Sequence, residues 1–142
     1  MSFLYGLLAI VAALLMQLVL WIFFPAFFDV AQISFSVQVL LALLIFAFTE
    51  ELARVTFFRS LLSSTALSLA TTCWFWIGFA SAEAVLAAVQ KAPFPQLAIA
   101  PIVHLFLTGI MYLAYKKQWA QNPLFFWVLT FVLTLIHTLI NT

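Results

Sequence analysis

Long apolar runs dominate this chain, and prolines or basic residues punctuate most of them. Five runs are predicted to cross a bilayer as helices: Phe3 to Phe24, Ser34 to Phe58, Leu61 to Val89, Leu97 to Tyr115 and Pro123 to Asn141. Pro25 and a short loop at Asp29 close the first, and Arg59 closes the second. Lys91, Pro93 and Pro95 stop the third, while Lys116 and Lys117 stop the fourth. Each run is near or above the ~20 residues needed to span ~30 Å of hydrocarbon. The expected architecture is an all-α, polytopic transmembrane bundle forming one membrane domain over residues 1–142. Asn122-Pro123 fits a helix start, with Asn as cap and Pro at the first helical position. Trp119 and Trp127 flank that start as interface anchors, and Pro101 is placed in about the first turn of the fourth span, where a missing N–H is tolerated.

Composition narrows the class further. The chain is 68% hydrophobic and only 6% charged, far from the roughly half-apolar, quarter-charged make-up of soluble domains. A net charge of +1 offers no basic field for nucleic acid, and one cysteine, Cys73, excludes an intramolecular disulfide. Met1–Trp21 lacks a basic leading segment and a small-residue cleavage site, so it reads as a retained helix. Arg59, Lys116 and Lys117 fall on the same side as the N-terminus, against Lys91 on the other. That excess predicts a cytoplasmic N-terminus and an outward C-terminus. The expected location is a multi-pass position in a bacterial or archaeal cytoplasmic membrane.

The chemistry lies in the few polar side chains. Of six acidic or imidazole groups, Glu50, Glu51, Glu83, His104 and His137 sit within predicted spans, and only Asp29 lies outside. An ionisable group in hydrocarbon costs several kcal/mol, so it marks a functional site by default. Glu50 and Arg54 are four apart on one helix face and suit a salt bridge. Glu51, about 100° around the helix, is then free to point elsewhere. In Gly78-Phe79-Ala80-Ser81-Ala82-Glu83, Phe79 precedes Glu83 by one turn, and the small residues permit close helix approach. Thr108 follows His104 by one turn, and Asn141 follows His137 by one turn. A buried Glu can act as general base towards water. His and carboxylate together can hold a divalent ion such as zinc. Asn141 can orient His137 or donate to an oxyanion.

Blander readings exist for each. Glu50 and Arg54 can be a structural ion pair near the interface, and a lone His in a bundle can be a satisfied core residue. Trp74-Phe75-Trp76 reads as packing, Cys73 as an inert thiol with no nearby cation, and Ser63, Ser64 and Ser68 as ordinary membrane-helix serines. Five such groups together, with no other acid or imidazole in any span, favour one converging site.

Taken in order, Glu50-Glu51-Leu52-Ala53-Arg54, Gly78-Phe79 to Glu83, His104 to Gly109, and His137-Thr138-Leu139-Ile140-Asn141 resemble the motifs of the PrsW family of intramembrane proteases. These are relatives of the type II CAAX prenyl endoproteases, which place one more residue between the Glu pair and Arg and a His where this chain has Glu83. The resemblance covers Glu50 to Asn141, about two thirds of the chain. It implies hydrolysis of a peptide bond in or beside the membrane, with Glu50, Glu51, Glu83 and Asn141 as catalytic residues. His104, His137 and Glu83 are the implied metal ligands, zinc being the candidate ion, and Arg54 an ion-pair partner. The implied substrate is a single-span membrane protein such as an anti-sigma factor.

Two other functions fit the same residues: a non-catalytic membrane scaffold that retains the protease fold, and a proton or ion path. Depth separates them. With these spans, Glu83, His104 and His137 fall ~8–10 Å from the outer face and the Glu pair ~20–25 Å from it, an offset of ~10–15 Å to be closed by tilt, a later helix start or a break.

Overall fold

The computed structural model describes residues 1–25, 37–91, 94–117 and 122–141, and the side chains of all of these except 37–39, 94–98 and 141. Five helices make up the described chain: α1 (Ser2–Phe23), α2 (Val37–Ser64), α3 (Leu69–Val89), α4 (Phe94–Lys116) and α5 (Pro123–Asn141). No strand occurs among the described residues. α1, α3, α4 and α5 are each long and apolar enough to cross a membrane, and the chain is an integral membrane protein. α2 is not among the four, because Glu50, Glu51, Arg54 and Arg59 interrupt it. Asp29, Pro93 and Trp119 lie outside the described residues, as does the Asn141 side chain.

The turn between the second and third helices is displaced from its expected place. Arg59 does not end α2, which continues to Ser64, and α3 begins at Leu69 instead of Leu61. Local hydrogen bonding explains the shift. Ser63 Oγ donates to the Ser60 carbonyl, and Ser64 Oγ and Thr65 Oγ1 both donate to that of Leu61, closing the last turn. Ser68 then caps α3, its Oγ accepting from the Thr71 N–H at 3.0 Å. Ser68 is therefore a cap and not an ordinary mid-helix serine. The fourth helix starts earlier than expected, at Phe94, so Pro101 sits well inside α4. Its carbonyl is used all the same, accepting from Trp76 Nε1 at 3.0 Å. The Asn122 cap forms as expected, with Oδ1 accepting from Leu124 N–H at 2.9 Å.

The helices close into a ring. α1 packs along both α2 and α3, α5 packs on α2, α4 on α3, and α4 on α5. The tightest crossing joins α1 and α3. A methyl group on Gly6 would run into the Phe75 carbonyl, and one on Gly78 into that of Phe3. With lipid as apolar as any side chain, such close backbone contact is what holds membrane helices together. Gly109 has no such duty, since a Cβ there would meet open space.

The ring interior is layered by helical turns. Towards the α2–α3 turn it is aromatic and aliphatic: Phe58 meets Phe75 and Tyr115 edge-on at centroid distances of 5.1 and 5.4 Å, beside Leu61, Met111 and Leu133. On α5, Thr130, Thr134 and Thr138 hide their hydroxyls by donating to carbonyls four residues back. Beyond that apolar stack, towards the other end, lie all the buried charges.

Candidate functional site

Four helices each send ionisable side chains to one level of the ring. α2 contributes Glu50, Glu51 and Arg54, α3 Glu83, α4 His104 and α5 His137. Glu51, Arg54, His104 and His137 are buried, while Glu50 and Glu83 keep partial exposure at 15% and 23%.

Arg54 is the hub. Its guanidinium lies 3.0 Å from Glu50 Oε1 and 3.0 Å from Glu51 Oε1, and its Nη2 also hydrogen-bonds His104 Nδ1. It rests 4.3 Å above the Phe79 ring centroid, a cation–π contact in a site without bulk water. A guanidinium offers donors only, so His104 Nδ1 accepts and the ring proton is on Nε2. That nitrogen lies 2.6 Å from Glu83 Oε2, a close contact that is not aligned as a hydrogen bond. The His104 tautomer is thus set from the Arg54 side. His137 faces the other glutamate, its Nδ1 2.8 Å from Glu51 Oε1, which leaves Nε2 as its free nitrogen. The imidazoles stand edge-to-face, 5.1 Å between centroids.

Glu50 Oε1 occupies the middle, 3.6 Å from His104 Nε2 and 3.9 Å from His137 Nδ1. Glu51 Oε2 has no hydrogen-bond partner among the described residues, although its side chain is fully buried. An unpaired carboxylate oxygen in such a place is costly and calls for a proton, a water or a cation.

The expected offset in depth is closed. Glu50 and Glu51 fall near the middle of α2, whose 28 residues run about 42 Å, well over the ~30 Å hydrocarbon thickness. The start of α2 overhangs the end of α3 by roughly 10 Å, which brings the glutamates level with the histidines. The sequence-derived residues Glu50, Glu51, Glu83, His104 and His137 are therefore brought together.

Glu50, Glu51, His104 and His137 offer one ligand atom each within 4.8 Å of one another, so this buried group can in principle hold a metal ion. The donor set, two carboxylates and two imidazoles, suits zinc in kind. Glu83, expected among the ligands, lies outside this group of four, with its Oε2 2.6 Å from His104 Nε2. Arg54 and an ion would compete for His104 Nδ1, since the guanidinium already uses that lone pair.

Two parts of the site were not anticipated. Arg54 reaches across to His104 and Glu51 as well as pairing with Glu50. Phe79 serves as its floor, a role foreshadowed only by its position one turn before Glu83. No family model matches the chain, and no curated protein or solved structure matches it significantly.

Proposed function

We propose that the protein is an intramembrane endopeptidase, of the kind that its ordered motifs resemble in the PrsW family, acting on a membrane-anchored protein with a single span. The observation that carries this reading is the convergence of three glutamates and two histidines from four helices on one buried level. Glu51 is the base. Its Oε1 is fixed by Arg54 and His137, and its unpaired Oε2 takes a proton from water. The hydroxide so formed adds to the scissile carbonyl carbon. His137, doubly protonated, donates through Nε2 to the resulting oxyanion, a role that the motif resemblance also gives to Asn141. The C–N bond then breaks as the Glu51 carboxyl returns its proton to the leaving amine. Arg54 holds His104 in one tautomer throughout, and Glu83 sets a negative charge 2.6 Å from its Nε2. If the enzyme carries zinc, Glu50, Glu51, His104 and His137 hold it, and the ion supplies Lewis acidity towards water.

The test is cleavage of a fluorogenic peptide with one apolar 20-residue segment, in proteoliposomes. Glu51→Gln is expected to lower the rate by about 10²–10⁴-fold while the protein stays folded. Unchanged cleavage in Glu51→Gln, or none by the wild type across a panel of such peptides, overturns the reading.

A scaffold function is the second reading, favoured by one observation: both ring nitrogens of His104 lie against protein groups, Nδ1 hydrogen-bonded to Arg54 and Nε2 2.6 Å from Glu83. On that reading Glu83→Gln disrupts assembly with a partner and leaves proteolysis in the membrane unchanged.

A further inference from the structure

A second feature lies on the opposite face of α2. Glu51, Arg54 and Phe58 point into the ring, whereas Ala53 and Thr56 turn about half a revolution away, Ala53 buried beneath its neighbours and Thr56 exposed. There α1 and α5 flank α2 and leave a lateral groove of about 420 Å³. Ala12 and Met16 form one wall, Ala53 and Thr56 the floor, and Phe126 and Trp127 the other wall. The lining is almost entirely apolar.

One end of the groove is charged. Arg59 lies three residues beyond Thr56 on the same face of α2, and its guanidinium sits 5.5 Å from the centroid of Phe126, a groove residue. It is exposed and makes no ion pair among the described residues, whose three acids are engaged with Arg54 and the histidines. Its depth is also defined. Tyr5 contacts Phe57, and Phe126 lies in the first turn or so of α5, which puts Arg59 level with the outset of α1 and of α5. That is the headgroup zone of a bilayer, and Trp127 beside it is a typical interface residue. The groove therefore leads from Arg59 at headgroup level down to Met16 in the hydrocarbon.

Size separates the candidate occupants. One turn of helix, about 10 Å wide and 5.4 Å tall, takes up roughly 400 Å³. A spanning helix would thus lie mostly outside the groove, whereas a hydrocarbon chain can lie along it.

We infer that this groove and Arg59 form a binding site for one anionic phospholipid, with an acyl chain against Ala53 and Thr56 and the phosphate on the guanidinium. The site is independent of the hydrolytic reading, since none of its residues belongs to the Glu–His cluster. Arg suits the headgroup better than Lys, because its planar fork engages phosphate oxygens in pairs.

Native mass spectrometry of the full-length protein in detergent, with equal phosphatidylglycerol and phosphatidylethanolamine added, tests it. The anionic lipid is expected to be retained about tenfold better, because the ammonium of phosphatidylethanolamine offsets the phosphate charge that Arg59 attracts and phosphatidylglycerol has none. Arg59→Gln is expected to abolish that preference, and Thr56→Phe, which fills the groove at an exposed position, to lower retention of both lipids. Thermal melting checks that both variants are folded. Equal retention of the two lipids, or a preference unchanged in Arg59→Gln, overturns the site. So does a dimer mass or a co-purified helical peptide that Thr56→Phe removes, since the groove then belongs to a second copy or to a protein helix.

Discussion

The two ends of the ring are built on opposite principles. Towards the α2–α3 turn, Phe58, Phe75, Met111, Tyr115 and Leu133 fill the interior with carbon, and shape decides what fits. One or two turns further along, the same four helices present Glu51, Arg54, Glu83, His104 and His137, and charge balance decides. The apolar end gains little from burial as such, since lipid is as apolar as the interior, so its stability comes from contact and close approach. The polar end is the reverse. Each ion there is expensive alone and is tolerated only because its partner is present. A single deletion should accordingly be felt as a graded loss at one end and as failure of a whole network at the other.

The largest effect should follow removal of the hub. Arg54→Met leaves Glu50 and Glu51 without their cation, and the expected cost is about 3–5 kcal/mol. Thermal unfolding in detergent should show it as loss of most folded protein, with Arg54→Lys restoring part of the stability. A melting temperature unchanged in Arg54→Met would mean that the polar end is not a charge-balanced unit. Next comes the crossing of α1 and α3. Gly78→Ala drives a methyl group into the Phe3 backbone, and overpacking of this kind costs about 1–3 kcal/mol. Gly109→Ala is the control, because nothing stands where its methyl would go. At the apolar end, Phe75→Ala should cost on the order of 1–3 kcal/mol, since lipid cancels much of the transfer contribution and leaves the cavity. If Phe75→Ala proves as damaging as Arg54→Met, the contrast between the ends fails. The smallest effect concerns Lys91, which follows α3 with φ at 57°. Lys91→Gly should stabilise by about 0.5–1 kcal/mol, because glycine adopts that left-handed conformation without strain.

Much of this site was legible because membrane sequences are sparing with charge. Against so apolar a background, Glu83, His104 and His137 needed no pattern to stand out, and the Glu50–Arg54 spacing announced its own pair. Helix ends were harder to place. Arg59 looked like a stop, yet a long basic side chain at headgroup level lets a helix run past it. The true end depends on hydroxyl groups of Ser63, Ser64 and Thr65 turning back on the helix and on Ser68 capping the next one. Those residues are common inside membrane helices, so their role emerges only from geometry. The reach of Arg54 to His104 was hidden for another reason. The two are fifty residues apart, and which face of α4 meets α2 is set by the whole ring. The depth offset had a different origin, since a residue count sets the start of α2 flush with the end of α3, whereas α2 begins roughly 10 Å beyond it.

The polarity of α2 also bears on how the protein is made. Near a helix centre, Glu, Arg and similar residues each carry a penalty of roughly 2.5–3.5 kcal/mol for transfer from the translocon into lipid. With Glu50, Glu51 and Arg54 clustered at its middle, α2 would be a poor candidate to leave that channel alone. Its partners for those charges, Glu83, His104 and His137, are all synthesised later. Biogenesis should therefore stall α2 at the channel until α3 and α4 emerge, so that the polar cluster is assembled during insertion and not after it.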